Sequence, residues 1–257
     1  MGSKSQLFQM WGGWMGGRVL SLVLATAFIL AGCTPVDESV VKRGDLTAGE
    51  AAERVSEAPE GDPALELDPA LKAFIKDHGA TVKKQASKYG FDWRLILAMV
   101  KQESRFAAEA MSEKGASGLM QLMPTTGEEV AKTLSLSDIE HPENNIKGGV
   151  YYLKTLYGLF QGVNEPDRTK LALAAYNAGI GRIYDAQDLA AYLNENPTSW
   201  SAVRDALPLL SKRYYTLHRN VWEQERPRAG WFGNSRETVQ YVDTIIQTYD
   251  ELRMLLN

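Results

Sequence analysis

Glu103 stands where an apolar residue is expected. Over residues 93–104, Trp93, Ile96, Leu97 and Val100 recur at the i, i+3, i+4, i+7 spacing of a buried helical stripe, and Glu103 extends the same stripe beyond Val100. A carboxyl group among apolar side chains resists ionisation and its pKa rises. It can then hold a proton near neutral pH and give it to a leaving group. A glutamate that turns to solvent at the helix end, or one paired with an arginine, fits the same spacing.

Few other residues suggest a reaction. His78, His141 and His218 are isolated from any Cys, His or carboxylate spacing that reads as zinc, and no calcium loop is written in Asp and Gly. Neither a phosphate loop nor a nucleophile elbow occurs. The expectation is therefore an enzyme with no cofactor and no metal. Net charge is −4 and no Lys/Arg run forms a polyanion patch, which excludes nucleic acid as the natural partner.

The elements that would position Glu103 are helical. With 44% hydrophobic residues in 257, the chain can bury one sizeable core. Helical periodicity predicts segments at 71–89, 93–104, 125–134, 145–160, 168–176, 183–193, 200–215 and 237–256, and no run alternates strictly enough to read as a strand. The expected fold class is all-α. Turns are written at Lys88-Tyr89-Gly90 and Asn194-Glu195-Asn196-Pro197, and Gly179 and Gly181 read as helix C-caps. Trp200, Trp222 and Trp231 suit either the core or a platform for sugar rings.

The N-terminal third reads differently. Lys4 and Arg18 precede an apolar stretch at 19–30, the length of a signal-peptide core, which ends in Leu30-Ala31-Gly32-Cys33. That tetrapeptide resembles a bacterial lipobox, and Cys33 is the only cysteine, so it has no internal disulfide partner. The expectation is a signal peptide at 1–32 and membrane attachment through a lipid on Cys33. Thr34 in place of Asp resembles outer-membrane sorting, which places the chain in the cell envelope, facing the periplasm. Residues 34–69 are acidic and poor in aromatics, and 33–69 reads as an acylated, disordered tether ahead of a domain at 70–257.

Four blocks resemble the soluble lytic transglycosylase (SLT) domain family, a lysozyme-like fold of the goose-type lysozyme/transglycosylase kind. They are Glu103-Ser104, followed by Ser112 and Gly115-Ala116-Ser117-Gly118-Leu119-Met120-Gln121-Leu122-Met123-Pro124, then Ala175-Tyr176-Asn177-Ala178-Gly179, then Glu237-Thr238 with Tyr241-Val242. Asp185-Ala186-Gln187-Asp188-Leu189 and Leu207-Pro208-Leu209-Leu210-Ser211 look most like the catalytic half of the membrane-bound lytic murein transglycosylase F group. Members of that group carry an N-terminal solute-binding-like domain where this chain has the acidic segment, so regulation by that domain is not carried over.

The resemblance implies cleavage of peptidoglycan glycan strands, with Glu103 as acid and then base, leaving 1,6-anhydro-MurNAc ends. It implies that Ser112 orients the N-acetyl carbonyl and that Gln121 and Met123 line the cleft floor. Tyr176 and Asn177 would face the sugar, Glu237 would help bind it, and Tyr241 would restrain Glu103. Residue by residue, plainer readings stay open: a loop serine, glycines serving turns, a core methionine, and Glu237 as an acid at a helix start. Two other functions share the pattern: a goose-type muramidase that delivers water, and an idle muropeptide-binding envelope protein. The sequence names no partner in an envelope complex.

Overall fold

The computed structural model describes residues 68–256; Cys33, the signal peptide and nearly all of the expected tether lie outside them. The described residues hold nine α-helices: α1 Pro69–Tyr89, α2 Trp93–Ser104, α3 Pro124–Leu134, α4 Pro142–Leu159, α5 Asp167–Ala178, α6 Ile180–Tyr192, α7 Trp200–Ala206, α8 Tyr215–Val221 and α9 Ser235–Leu255. Two isolated antiparallel bridges, Met111 with Ser117 and Ser117 with Leu122, are the only β-type pairing among them.

Six helices start earlier than periodicity predicts, and three of them do so at a proline. Pro69, Pro124 and Pro142 open α1, α3 and α4, where the missing N–H is one the first turn leaves free and the fixed φ suits a helix. The first core-facing residue lies beyond the proline, so the hydrophobic pattern alone starts the helix too late. Asp68 and Asp92 cap α1 and α2 by accepting from Ala70 N and Arg94 N, both at 2.9 Å.

The helix expected over 200–215 is broken. It stops at Ala206, passes through 3-10 turns at Leu207–Leu210 and Lys212–Tyr214, and resumes as α8. Pro208 cannot donate to the preceding turn, which ends the α ladder there. Gly179 does end α5, but Gly181 is no cap. It lies inside α6, and a Cβ there would come within 3.1 Å of the Ala229 methyl.

At the centre lies α2. Leu95, Ile96, Leu97, Ala98, Met99 and Val100 are all buried, so the helix is enveloped on every side rather than amphipathic. The proposed stripe is thus one strip of a helix with no solvent face along this stretch, and Glu103 is where it emerges. α9 packs along α2 in the opposite direction. At one end Arg94 donates to the Leu256 carbonyl at 2.9 Å and Tyr249 to Asp92 at 3.2 Å. At the other end Tyr241 reaches Glu103. α5 packs against α9 and α4, which in turn packs against α1.

Candidate active site

A polar cavity of about 480 Å³ opens between the C-terminal end of α2, the end of α5 and the first turns of α9. Its lining includes Glu103, Asn177, Glu237, Gln240, Tyr241 and Thr244. Glu103 is partly buried at its floor. Burial pushes the Glu103 carboxyl up from an ordinary value of 4.5 to about 7, against the opposing effect of the Tyr241 hydrogen bond. The Tyr241 hydroxyl donates to Glu103 Oε1 at 2.5 Å. Burial, then the nearby Glu103 charge, holds the phenols of Tyr241 and Tyr176 well above the ordinary tyrosine value. Tyr241 therefore stays a proton donor to Glu103 and does not compete with it as an acid.

This arrangement answers both plainer readings of Glu103. Its carboxyl does not turn to open solvent, and no arginine pairs with it among the described residues. The site holds a carboxylic acid that is half-protonated near neutrality.

From the end of α2 runs the loop 105–123, held by hydrogen bonds within itself and to one buried side chain. Ser112 N donates to Ala116 O, Gly118 N to Ala110 O, and Ser117 and Leu122 exchange both backbone bonds. Leu119 and Met120 are fully buried and pin the loop to the core. Asn145, with no exposed surface, gathers it from α4: its carbonyl oxygen accepts from Met120 N at 2.8 Å, and its amide donates to Ser117 O at 3.1 Å and Ile139 O at 3.2 Å. Gly118, at φ +80°, lies so close that a Cβ would stand 2.5 Å from the Asn145 amide nitrogen. That glycine makes room for Asn145.

The residues nominated by sequence divide accordingly. Glu103, Asn177, Glu237 and Tyr241 meet in the cavity. Met123 is 42% exposed, which excludes a core role. Ser112 Oγ accepts from Ala116 N at 3.0 Å, steadying the loop while leaving its own proton free to donate. Gln121 departs from expectation: at φ +47° its amide folds back to Ala110 O and Gly118 O, both at 2.9 Å, so its N–H groups serve the loop and do not line the floor. The Tyr176 hydroxyl, close enough to feel the Glu103 charge, donates to Met120 O at 2.8 Å and so ties α5 to the loop. Asn177 accepts from the buried Thr238 hydroxyl at 2.8 Å, which joins α5 to α9. Glu237 is exposed, lines the cavity and lies in the first turn of α9.

Asn145 and Thr238 were missed as candidates. Asn145 opens the predicted 145–160 segment, where an asparagine reads as an ordinary N-cap, so no local signal set it apart. Among the described residues no group of three or more His, Cys, Asp or Glu is placed to hold a metal ion.

Comparison with protein families matches residues 80–197 to the family described as Transglycosylase SLT domain. The chain carries an SLT domain. Among curated proteins it is 37% identical over 174 residues to a membrane-bound lytic murein transglycosylase F of Desulfosudis oleivorans, covering 67% of this chain and 35% of that one. It is 39% identical over 166 residues to the protein of that name in Saccharophagus degradans, covering 64% of this chain and 30% of that one. The chain thus spans about a third of the length of these relatives. A solved complex of the 70-kDa soluble lytic transglycosylase with bulgecin A aligns with a TM-score of 0.50 at 23% identity, over 73% of this chain and 26% of that one. That likeness is one of fold, and the all-α, lysozyme-like architecture expected from sequence is the one the SLT domain adopts.

Proposed function

We propose that this chain is a peptidoglycan lytic transglycosylase that cleaves the MurNAc–GlcNAc β-1,4 bond without water. The observation that carries this reading is Glu103: an acid lifted to about 7 by burial and fixed by Tyr241, in a cavity of an SLT domain. The printed names of the relatives, lytic murein transglycosylases, support the same substrate.

Glu103 gives its proton to the bridging oxygen, and the MurNAc N-acetyl group stabilises the positive charge that develops at C1. The Glu103 carboxylate then removes the proton of the C6 hydroxyl of that sugar. The C6 oxygen closes onto C1, which restores the acid and leaves a 1,6-anhydro end. An attacker tethered to the reacting sugar needs no ordered water. Ser112 would donate its free proton to the N-acetyl carbonyl, and Met123, Asn177 and Glu237 would contact the strand. Gln121 and Tyr176 would act through the loop they hold.

Glu237, a second carboxylate in the cavity, gives the hydrolase reading its one support. Mass spectrometry of products from intact sacculi separates the two. Anhydro-MurNAc ends are expected from the native chain; reducing MurNAc ends would overturn the transglycosylase and leave a muramidase, and no cleavage would leave a binding protein.

The envelope placement belongs to the same proposal: a signal peptide at 1–32, a lipid on Cys33, a tether at 33–69 and the catalytic domain at 70–257, facing the periplasm from the outer membrane. The words "membrane-bound" in the relatives' names support attachment. No helix among the described residues is long and apolar enough to cross a membrane. Palmitate labelling in cells should mark the native chain and not Cys33→Ala; equal labelling of both would overturn the anchor.

A further inference from the structure

Residues 222–234 cross from α8 to α9 without regular structure, yet they are tied down along their length. Asp185 of α6, 1% exposed, accepts from Arg228 N at 3.1 Å and from Ala229 N at 2.8 Å, one bond to each carboxylate oxygen. Asp188, one turn along, takes the Arg228 guanidinium at 2.9 Å and the Trp222 indole N–H at 3.4 Å. Phe232 N donates to Leu210 O at 3.1 Å, and the Arg182 guanidinium lies 4.8 Å from the Phe232 ring centre. Gly181 leaves the space that Ala229 approaches.

The residue this strap delivers is Trp231. Trp200 and Trp222 are buried, whereas Trp231 is 37% exposed and packs on the fully buried ring of His218, 5.1 Å between centres. It borders a second cavity of about 210 Å³, together with Lys114, Arg182 and Asn234. Asn177 and Glu237 line this cavity and the one around Glu103, so the two adjoin along one groove. An aromatic ring with a fixed backing, beside polar side chains, suits the face of a pyranose whose hydroxyls need partners. The lining carries both charge signs, which suits a neutral sugar better than a polyanion.

We propose that the 222–234 strap forms a further saccharide subsite of the Glu103 groove, with Trp231 as its stacking platform and Asp185 as the buried positioning residue that sets the strap. The inference rests on the glycan substrate proposed above. A buried carboxylate bonding two successive backbone N–H groups fixes a turn more tightly than neutral acceptors would. Trp231 then meets the strand in ground state and transition state alike, and such uniform binding is read in KM rather than kcat.

The test uses peptide-free GlcNAc–MurNAc strands as substrate. Trp231→Ala should raise KM about tenfold with the change falling on KM rather than kcat, and Trp231→Phe should recover most of it. Asp185→Asn, which leaves one backbone N–H facing an amide, should raise KM in the same sense. The double variant should be no worse than the worse single variant, because both act through one ring. A native KM in Trp231→Ala, a loss confined to kcat, or multiplying single effects would overturn the subsite. If Asp185→Asn fails to fold, the two Trp231 variants decide the matter. Binding of the GlcNAc tetramer to Glu103→Gln, followed by tryptophan fluorescence, reads the subsite without turnover. A native chain that cleaves nothing would sink the lyase reading, while loss of tetramer binding in Glu103→Gln/Trp231→Ala would still uphold the subsite, and unchanged binding would overturn it.

Discussion

Two walls beside Glu103 are built by different means. One is the antiparallel pair α2 and α9, in which Glu103 and Tyr241 sit on helices packed along their length and tied at both ends. The other is the loop 105–123, which has no helix of its own and takes its shape from two buried residues, two bonds to Asn145 and a glycine that makes room for that side chain. The acid is thus positioned by apolar packing, which is spread over many side chains, and the loop by a few polar bonds concentrated on one. Removing a single side chain should therefore leave the first wall standing and collapse the second.

Glu103→Gln breaks the chemistry and spares the wall. Cleavage of sacculi should fall by on the order of 10²–10⁴-fold, since one group serves as both acid and base, with the helical circular dichroism unchanged. The same variant should be more stable than the native chain in alkali. Between pH 4.5 and about 7 the folded protein keeps a proton that the unfolded chain releases, so native stability falls as pH rises through that window. Above it the buried carboxylate carries a penalty on the order of 3 kcal/mol. Melting at pH 9 should show the variant ahead, and melting at pH 4 should show no difference; a constant gap would contradict a shifted Glu103.

Asn145→Ala attacks the other wall. It strands Met120 N–H and the Ser117 and Ile139 carbonyls in a dry interior, a loss of roughly 3 kcal/mol or more. Hydrogen exchange should rise first in 105–123 while α2 and α9 stay protected. Exchange that rises equally in both walls would erase the contrast between them.

Tyr241→Phe makes the smallest change, removing one hydroxyl and keeping the packing. The rate should fall by less than about tenfold, near 1 kcal/mol. Because the lost bond lowers the Glu103 pKa, the alkaline limb of the pH–rate profile should move to higher pH. A limb that moved down would mean that another group sets it.

Legibility followed the same division. The helices α2 and α9 and the turn at Gly90 were written in local patterns, and Glu103 was visible because a carboxylate interrupts an apolar stripe. The loop was visible only as a resemblance. Its organiser lies 25 residues beyond Met120, and long-range polar pairing leaves no periodic trace in a single sequence. Gln121 and Tyr176 were nominated for the sugar by the resemblance; that they also bond to backbone carbonyls is decided by the fold. The break at Pro208 was readable from residue type, and apolar spacing on both sides of it hid the interruption.

Tyr241 lies 138 residues after Glu103, on the last helix of the described residues. A nascent or truncated chain ending before Ser235 would have α2 and the loop but no phenol to hold the acid and no lid over its apolar flank. The Glu103 site is therefore completed only when α9 docks, so a partly made copy keeps its acid unbraced.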